Sequence, residues 1–353
     1  MSKVHGLIMA GGQGTRLWPE STSKRPKQYL SLFDEESLIY KTLKRLEGIV
    51  ETEDRFVITV ENQRSLVIES SKEQILEKNL IFEPNGRNTA PCIYLSLVSL
   101  LKNNGASPDD VVLILPSDSI ILNVAGFHQS LKEAVELASS KDQLVTIGIK
   151  PHFPHTGYGY IKRGEKWEEK SHRVKEFKEK PDFETAKKYL ESGEFYWNAG
   201  MFVGKISTFL EEFQTHASEY SDLKNELWDA LGSDALPSVY EKLPATSLDY
   251  AIMEKSSNIS VVEASFDWND LGAWDALEVV AKKEEENWRL KAEGITSVES
   301  KNNIVYTPGK QAVLMDVENL VVVSNDRVVA VFPKSSSQKI KEVVSKLKGT
   351  DLI

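Results

Sequence analysis

The stretch "GLIMAGGQGTRLWPESTSKRPKQYL" (residues 6–30) runs an apolar segment into three closely spaced glycines and then into Arg16, Arg25 and Lys27. A short apolar run that stops at a glycine cluster reads as a buried strand feeding a loop, and backbone N–H groups in such a loop can approach an anion. Two familiar glycine patterns fail here. A P-loop requires a Gly-Lys pair followed by Ser or Thr, which the residues from Gly11 to Trp18 lack, and a dinucleotide fingerprint beginning at Gly12 meets Leu17 where its third glycine belongs. What remains is a glycine loop at a strand's carboxyl end, with Gly11, Gly12 and Gly14 suited to a triphosphate and cations beyond it. On its own, such a loop is more often a turn than a site.

Composition narrows the partners. The chain has 353 residues, 43 Lys plus Arg against 53 Asp plus Glu, and a formal net charge of -10. That balance argues against nonspecific binding to nucleic acid or to an anionic membrane, so any phosphate site must be local. The one cysteine, Cys92, excludes an intramolecular disulfide and a multi-cysteine zinc cluster. No apolar run approaches the roughly 18 residues of a membrane span, and "MSKVHG" lacks the apolar stretch of a signal peptide. These features predict a soluble cytoplasmic protein.

Short β-branched runs alternate with amphipathic ones. "VHGLIMA" (4–10), "RFVITV" (55–60), "LIF" (80–82), "VVLIL" (111–115) and "LVTIGI" (144–149) read as strands covered on both faces. "SLIYKTLKRL" (37–46) and "FHQSLKEAVELA" (127–138) read as helices between them. The pattern predicts an α/β class fold: a Rossmann-like, mostly parallel sheet flanked by helices, with ligands beyond the strands' carboxyl ends. From about residue 157, "GYGYIKRG" and "VKEFKEKP" alternate and predict an antiparallel insertion over the sheet, while "WNAGMFVG" (197–204) resembles another strand. "WDALEVVAKKEEENW" reads as helical, and residues 295–334 as short strands punctuated by Asn, Asp and Gly, followed by a basic helix "QKIKEVVSKLKG". The expected division is a catalytic domain over residues 1–285 and a small all-β domain with a terminal helix over 286–353. No sequence repeat is evident.

Two acids stand out. Asp118 follows the buried strand "VVLIL", which places it at the sheet's carboxyl edge, and Asp270 lies in the aromatic, glycine-rich "WNDLG" turn. Paired with phosphate oxygens and water they suit a hard cation, although an Asp is also a common cap or turn former. Asn88 or Thr89 would cap the helix that follows "EPNGRNTAP" (83–91).

The "AGGQGTRLWPESTSKRPKQYL" stretch resembles the signature of the sugar-1-phosphate nucleotidyltransferases and, within them, of the mannose-1-phosphate guanylyltransferases. Further segments resemble that family in its order: "EPNGRNTAP", "LPSDSII" (115–121), "PHTGYGYI" (154–161), "FKEKPD" (177–182), "WNAGMF" (197–202), "SLDYAIME" (247–254) and "FDWNDLGAWDAL" (266–277). The resemblance implies attack by a mannose 1-phosphate oxygen on the α-phosphorus of GTP, giving GDP-mannose and pyrophosphate with Mg²⁺ and no covalent enzyme intermediate. It implies that Arg16 and Lys27 take the triphosphate, with Arg25 a further candidate, and that Gly11, Gly12, Gly14, Thr15 and Ser117 frame the nucleotide. Asn88 and Thr89 would meet the guanine, and Arg87 is an alternative phosphate contact. Asp118 and Asp270 would hold the metal. Gly157, Tyr158, Glu179, Lys180 and Asn198 would take the sugar phosphate, Glu179 and Asn198 at its hydroxyls and Lys180 at its phosphate. Ser119 departs from the family, which usually has His after that Asp. The resemblance also implies that the β tail is a short left-handed β-helix.

Two rival readings remain: the same chemistry on another sugar 1-phosphate such as a heptose, and a catalytically silent regulatory relative. The presence of Asp118, Asp270, Arg16 and Lys27 weighs against silence. Some relatives carry an isomerase domain after the transferase; the roughly 70 residues beyond 280 are too few for it, so no isomerase activity is expected. Exposed strands in the tail predict a homodimer.

Overall fold

A computed structural model describes residues 2–12, 14–167 and 170–353. Nine strands form one sheet: β1 (Val4–Met9), β2 (Arg55–Val60), β3 (Leu80–Glu83), β4 (Val111–Pro116), β5 (Leu144–Ile149), β6 (Tyr160–Lys166), β7 (Ser171–Lys178), β8 (Phe195–Lys205) and β9 (Ile259–Glu263). Their order is β3-β2-β1-β4-β8-β5-β9-β7-β6. β1 to β4 pair in parallel, as do β5 and β9, whereas β8 runs antiparallel between β4 and β5. The carboxyl ends of β1, β3 and β4 and the amino end of β8 therefore share one rim, where Gly148 of β5 stands opposite Asn198.

The apolar runs are strands because both faces are covered. On one face lies α3 (Thr89–Asn103), in which every residue from Ala90 to Leu100 is buried. A helix apolar all round needs cover on all sides; the sheet provides it on one, and the helices between β8 and β9 on the other, through Phe209, Phe213, Tyr220 and Tyr240. The opposite face carries α1 (Leu38–Lys44), α2 (Arg64–Ser71) and α4 (Val124–Lys141), which bury Ile39, Leu43, Val67, Phe127 and Leu131. Within α4, a Cβ on Gly126 would stand 2.1 Å from the Ser265 carbonyl oxygen, so only glycine lets the helix sit this close to the segment after β9.

Two readings are corrected. The β6–β7 hairpin extends the same sheet at its edge, with β6 also pairing with β8, instead of lying over it. "WDALEVVAKKEEENW" is not one helix: a 3₁₀ segment at Trp274–Val280 gives way to β10 (Lys282–Glu284) and β11 (Asn287–Leu290), joined by Glu285 and Glu286, whose φ values are 46° and 64°. Two successive positive φ values match the twist of a two-residue hairpin.

Beyond it, β12 (Gly294–Val298), β13 (Ile304–Tyr306), β14 (Gln311–Met315), β15 (Leu320–Ser324) and β16 (Val329–Pro333) complete the tail. β11, β13 and β15 stack in parallel and β12 stacks on β14, so the chain coils, with Trp288 over Ile304 over Val321 at spacings of 16 and 17 residues. Buried Asn side chains hold the corners: Asn287 Oδ1 accepts from the Asn303 backbone and side-chain nitrogens at 3.1 and 2.8 Å, and Asn303 Oδ1 accepts from Leu320 N at 2.9 Å. Among the described residues, no helix is long and apolar enough to cross a membrane.

Candidate active site

The glycine loop leaves β1 at the rim. Gly14 has φ 58°, and a Cβ there would fall 2.2 Å from Cβ of Lys27, so only glycine fits. Ser21 Oγ donates to the Gly14 carbonyl at 2.7 Å and Gln28 Nε2 to that of Ala10 at 2.8 Å, which ties the loop to the segment carrying Lys27. Gly11 and Gly12 remain exposed, with Thr15 half-buried at the start of the next turn.

Lys27 is buried, and its ammonium bridges the Asp118 and Asp270 loops. Nζ lies 2.8 Å from Asp118 Oδ2 and donates to the backbone carbonyls of Asp270 at 2.8 Å and Leu271 at 3.3 Å. Asp118 reaches this point from the end of β4, where Ser117 N donates to the Met9 carbonyl at 3.2 Å. Two backbone bonds between Ile120 and Asn269, of 2.8 and 3.0 Å, stitch the Asp118 loop to the Asp270 loop. The Ser119 carbonyl accepts from Arg45 Nη2 at 3.1 Å, so a buried arginine holds this segment in place. Leu271, φ 49°, sits in a backbone region that leucine rarely adopts; its carbonyl is one of the Lys27 acceptors.

Asp270 Oδ1 accepts from the Tyr158 hydroxyl at 2.7 Å and from Gly272 N at 3.1 Å. Burial, reinforced by the Asp270 carboxylate, pushes the Tyr158 phenol far above its usual range, so it stays a donor. His155 stacks on Tyr158 at 3.8 Å; burial, helped by the Arg16 charge, holds the imidazole below its usual value. Arg16, His155, Tyr158, Asp270, Asp275 and Gln338 line a cavity of about 190 Å³. No group of three or more potential side-chain metal ligands occurs among the described residues. Hard carboxylate oxygens are the donors that Mg²⁺ accepts, so the chemistry of Asp118 and Asp270 fits that ion.

In the loop that the sequence expects to meet the base, Asn88 (φ 76°) caps α3, its side chain accepting from Thr89 N at 2.9 Å. Thr89 Oγ1 accepts from Leu248 N at 2.9 Å, and Arg87 Nη2 donates to the Leu243 carbonyl at 3.0 Å. These three side chains thus carry structural bonds. Glu83, which sequence reasoning passed over, ends β3 at the same rim. The Tyr240 hydroxyl donates to its Oε2 at 2.7 Å, its Oε1 stands 3.0 Å from where a Gly11 Cβ would be, and burial raises its carboxyl above the usual range. An acid closing a buried strand at the carboxyl edge was the available signal.

Among the residues expected to take the sugar phosphate, Asn198 N donates to the Gly159 carbonyl at 2.8 Å, its Nδ2 donates to Asp249 Oδ1 at 2.9 Å, and its Oδ1 accepts from Gly200 N at 3.0 Å. The amide is therefore fixed in one orientation. The buried Glu179 carboxylate pairs with Lys180 Nζ at 2.6 Å, and Lys180 itself has φ 49°. The close approach here is at Gly159, where a Cβ would meet Glu179 Oε2 at 2.4 Å; Gly157 instead lies against the His155 ring. Asp249, inside the quoted "SLDYAIME" but unassigned by sequence reasoning, has its carboxyl raised to about 6 by burial and the neighbouring Glu179 charge. Tyr158 and Gly159 join the two halves, one bonded to Asp270 and the next to Asn198. Trp197 is buried behind Tyr158, with ring centroids 5.2 Å apart.

Residues 5–287 match the nucleotidyl transferase family model, and residues 294–347 match the MannoseP isomerase/GMP-like beta-helix domain. Mannose-1-phosphate guanylyltransferases of Klebsiella pneumoniae and Escherichia coli are each 38% identical over 351 residues, covering 97% of this chain and 73% of theirs. The crystal structure of a mannose-1-phosphate geranyltransferase from Thermus thermophilus superposes with a TM-score of 0.89 at 33% identity, over 98% of this chain and 100% of that one. A glycine loop at the strand ends, a lysine bridging the Asp118 and Asp270 loops, and relatives alike across nearly the whole chain agree: this protein belongs to the nucleotidyl transferase family, within its mannose-1-phosphate guanylyltransferase branch.

Proposed function

We propose that the protein transfers GMP from GTP to α-D-mannose 1-phosphate, releasing pyrophosphate. A phosphate oxygen of mannose 1-phosphate forms a bond to the α-phosphorus of GTP as the α–β bridging bond breaks, and the electron pair leaves with pyrophosphate. The observation that carries this reading is Lys27, whose backbone and Cβ pack against Gly14 of the glycine loop while its ammonium sits between the Asp118 carboxylate and the Asp270 carbonyl. A buried cation there offsets charge at the reacting phosphate without reorganising. Arg16 and the exposed amides of Gly11 and Gly12 hold the β- and γ-phosphates. Asp118 and Asp270 would hold Mg²⁺, which when bound neutralises phosphate charge and orients the leaving group. Tyr158 keeps one oxygen of Asp270 occupied and so aims the other.

Base choice rests on Glu83 in this reading. Its Oε2 is taken by Tyr240, and its Oε1 accepts from the guanine N1–H and 2-amino group, which adenine does not present. Asn198, Glu179 and Lys180 orient the sugar phosphate. The test is pyrophosphate release from GTP, ITP, ATP and UTP crossed with mannose 1-phosphate, glucose 1-phosphate and a heptose 1-phosphate. GTP with mannose 1-phosphate should lead; a preference for UTP or for the heptose would refute the assignment.

A further inference from the structure

Arg16 lies in the nucleotidyl transferase match, but the hydrogen-bond partner of its guanidinium does not. Nη1 donates to Gln338 Oε1 at 3.0 Å, and Gln338 belongs to the β-helix match. It sits in the 3₁₀ turn Lys334–Lys339 that leads into the terminal helix Ile340–Lys346. The turn is anchored: Lys334 pairs with Glu278 and donates to Asn302 Oδ1 at 2.8 Å, while Ser337 is buried and its Oγ donates to the Lys334 carbonyl at 2.8 Å. The helix buries Ile340 and Val344 against Trp18, whose Nε1 donates to the Leu352 carbonyl at 2.9 Å. The same C-terminal segment therefore grips the glycine loop at residue 16 and again at residue 18. Arg16 and Gln338 line one cavity with Asp270.

We propose that Gln338 is a positioning residue for Arg16, so that the C-terminal unit completes the GTP site. The inference rests on the reading of Arg16 as a triphosphate ligand. A neutral amide oxygen is the acceptor this role needs: it orients the guanidinium through one N–H and leaves its charge and remaining donors for phosphate, whereas a carboxylate there would compete with the substrate. A long exposed side chain otherwise samples many rotamers, and holding it before the nucleotide arrives lowers the entropic cost of binding.

The test compares Gln338→Met, which keeps length but removes the acceptor, with Arg16→Ala and the double variant. Gln338→Met should raise KM for GTP by about three- to tenfold while KM for mannose 1-phosphate and kcat stay within about twofold. In the Arg16→Ala background it should add nothing. An equal rise in both KM values would overturn the proposal in favour of general loosening, as would a Gln338→Met effect that persists without Arg16. If Arg16→Ala is costly and Gln338→Met harmless, the proposal alone falls; if Arg16→Ala leaves KM for GTP unchanged, the reading of Arg16 falls and takes the proposal with it.

Discussion

Replacing Lys27 by Met removes the charge while keeping length and apolar volume, so the loss is electrostatic and leaves no large cavity. Three acceptors lose their donor: the Asp118 carboxylate and the carbonyls of Asp270 and Leu271. A charge-assisted bond contributes about 1.5–3 kcal/mol, and breaking a fully buried pair costs about 3–5 kcal/mol. The Asp118 side chain is 29% exposed and can rehydrate, so the stability loss should fall to about 2–4 kcal/mol. Leu271, held at φ 49° partly by this bond, should relax toward an ordinary conformation and carry Asp270 with it. Turnover should drop at least about a hundredfold, the usual consequence of removing one preorganised electrostatic contact. Lys27→Arg should recover little, because a planar fork does not place one nitrogen among three acceptors arranged around an ammonium. Urea unfolding and initial rates of pyrophosphate release measure the two effects separately. A folded Lys27→Met protein turning over within about threefold of the parent would refute the reasoning.

Asp118→Asn should cut turnover at least about a hundredfold and raise the Mg²⁺ concentration for half-maximal rate, read by metal titration of the initial rate. Glu83→Gln presents a donor where guanine also has donors, so GTP-over-ATP selectivity should narrow by about ten- to a hundredfold, checked by kcat/KM for each nucleotide. Asp249, with its folded-state carboxyl raised to about 6 against an ordinary 3.8, keeps its proton in the folded chain between those values. Stability therefore falls as pH rises from about 4 to 6 and levels above. Asp249→Asn should remove about 1–2 kcal/mol of that fall, compared by urea unfolding at pH 4.5 and 7.5; identical slopes for the two proteins would count against the burial argument.

The central strands were legible because buried parallel strands leave continuous β-branched runs, and the rim followed from where those runs stop. The hairpin at 282–290 was not. Ala, Glu and Lys favour helix, yet Glu285 and Glu286 adopt left-handed backbone, with the Glu285 carboxylate accepting from Ser297 N at 2.8 Å and Ser297 Oγ at 3.0 Å. That constraint comes from the next coil, outside any local window. The coil's period escaped notice for a related reason: it is carried by asparagine bonds and backbone stacking, while Trp288, Ile304 and Val321 share only their burial. In the site, the glycine loop and both acids were readable as motifs. Glu83 and Asp249 lay within quoted segments, but their roles depend on Gly11 and Asn198, which folding alone brings alongside.

The two-residue bridge between Ile120 and Asn269 sets what kind of sequence change the acid pair can absorb. Asp118 stands two residues from one end of the bridge and Asp270 one residue from the other, and the bridge is made of backbone atoms. The side chain at 120 can be exchanged without altering that spacing, provided the buried volume of Ile120 is kept, whereas Asn269 is also held to its identity, because its Oδ1 accepts from Leu271 N at 2.7 Å. A single insertion or deletion between 118 and 120 cannot, since one residue of extended chain moves the carboxylate by roughly 3.3 Å, more than the 2.8 Å that separates it from Lys27. Variation at positions 119 and 120 should thus be freer in identity than in length.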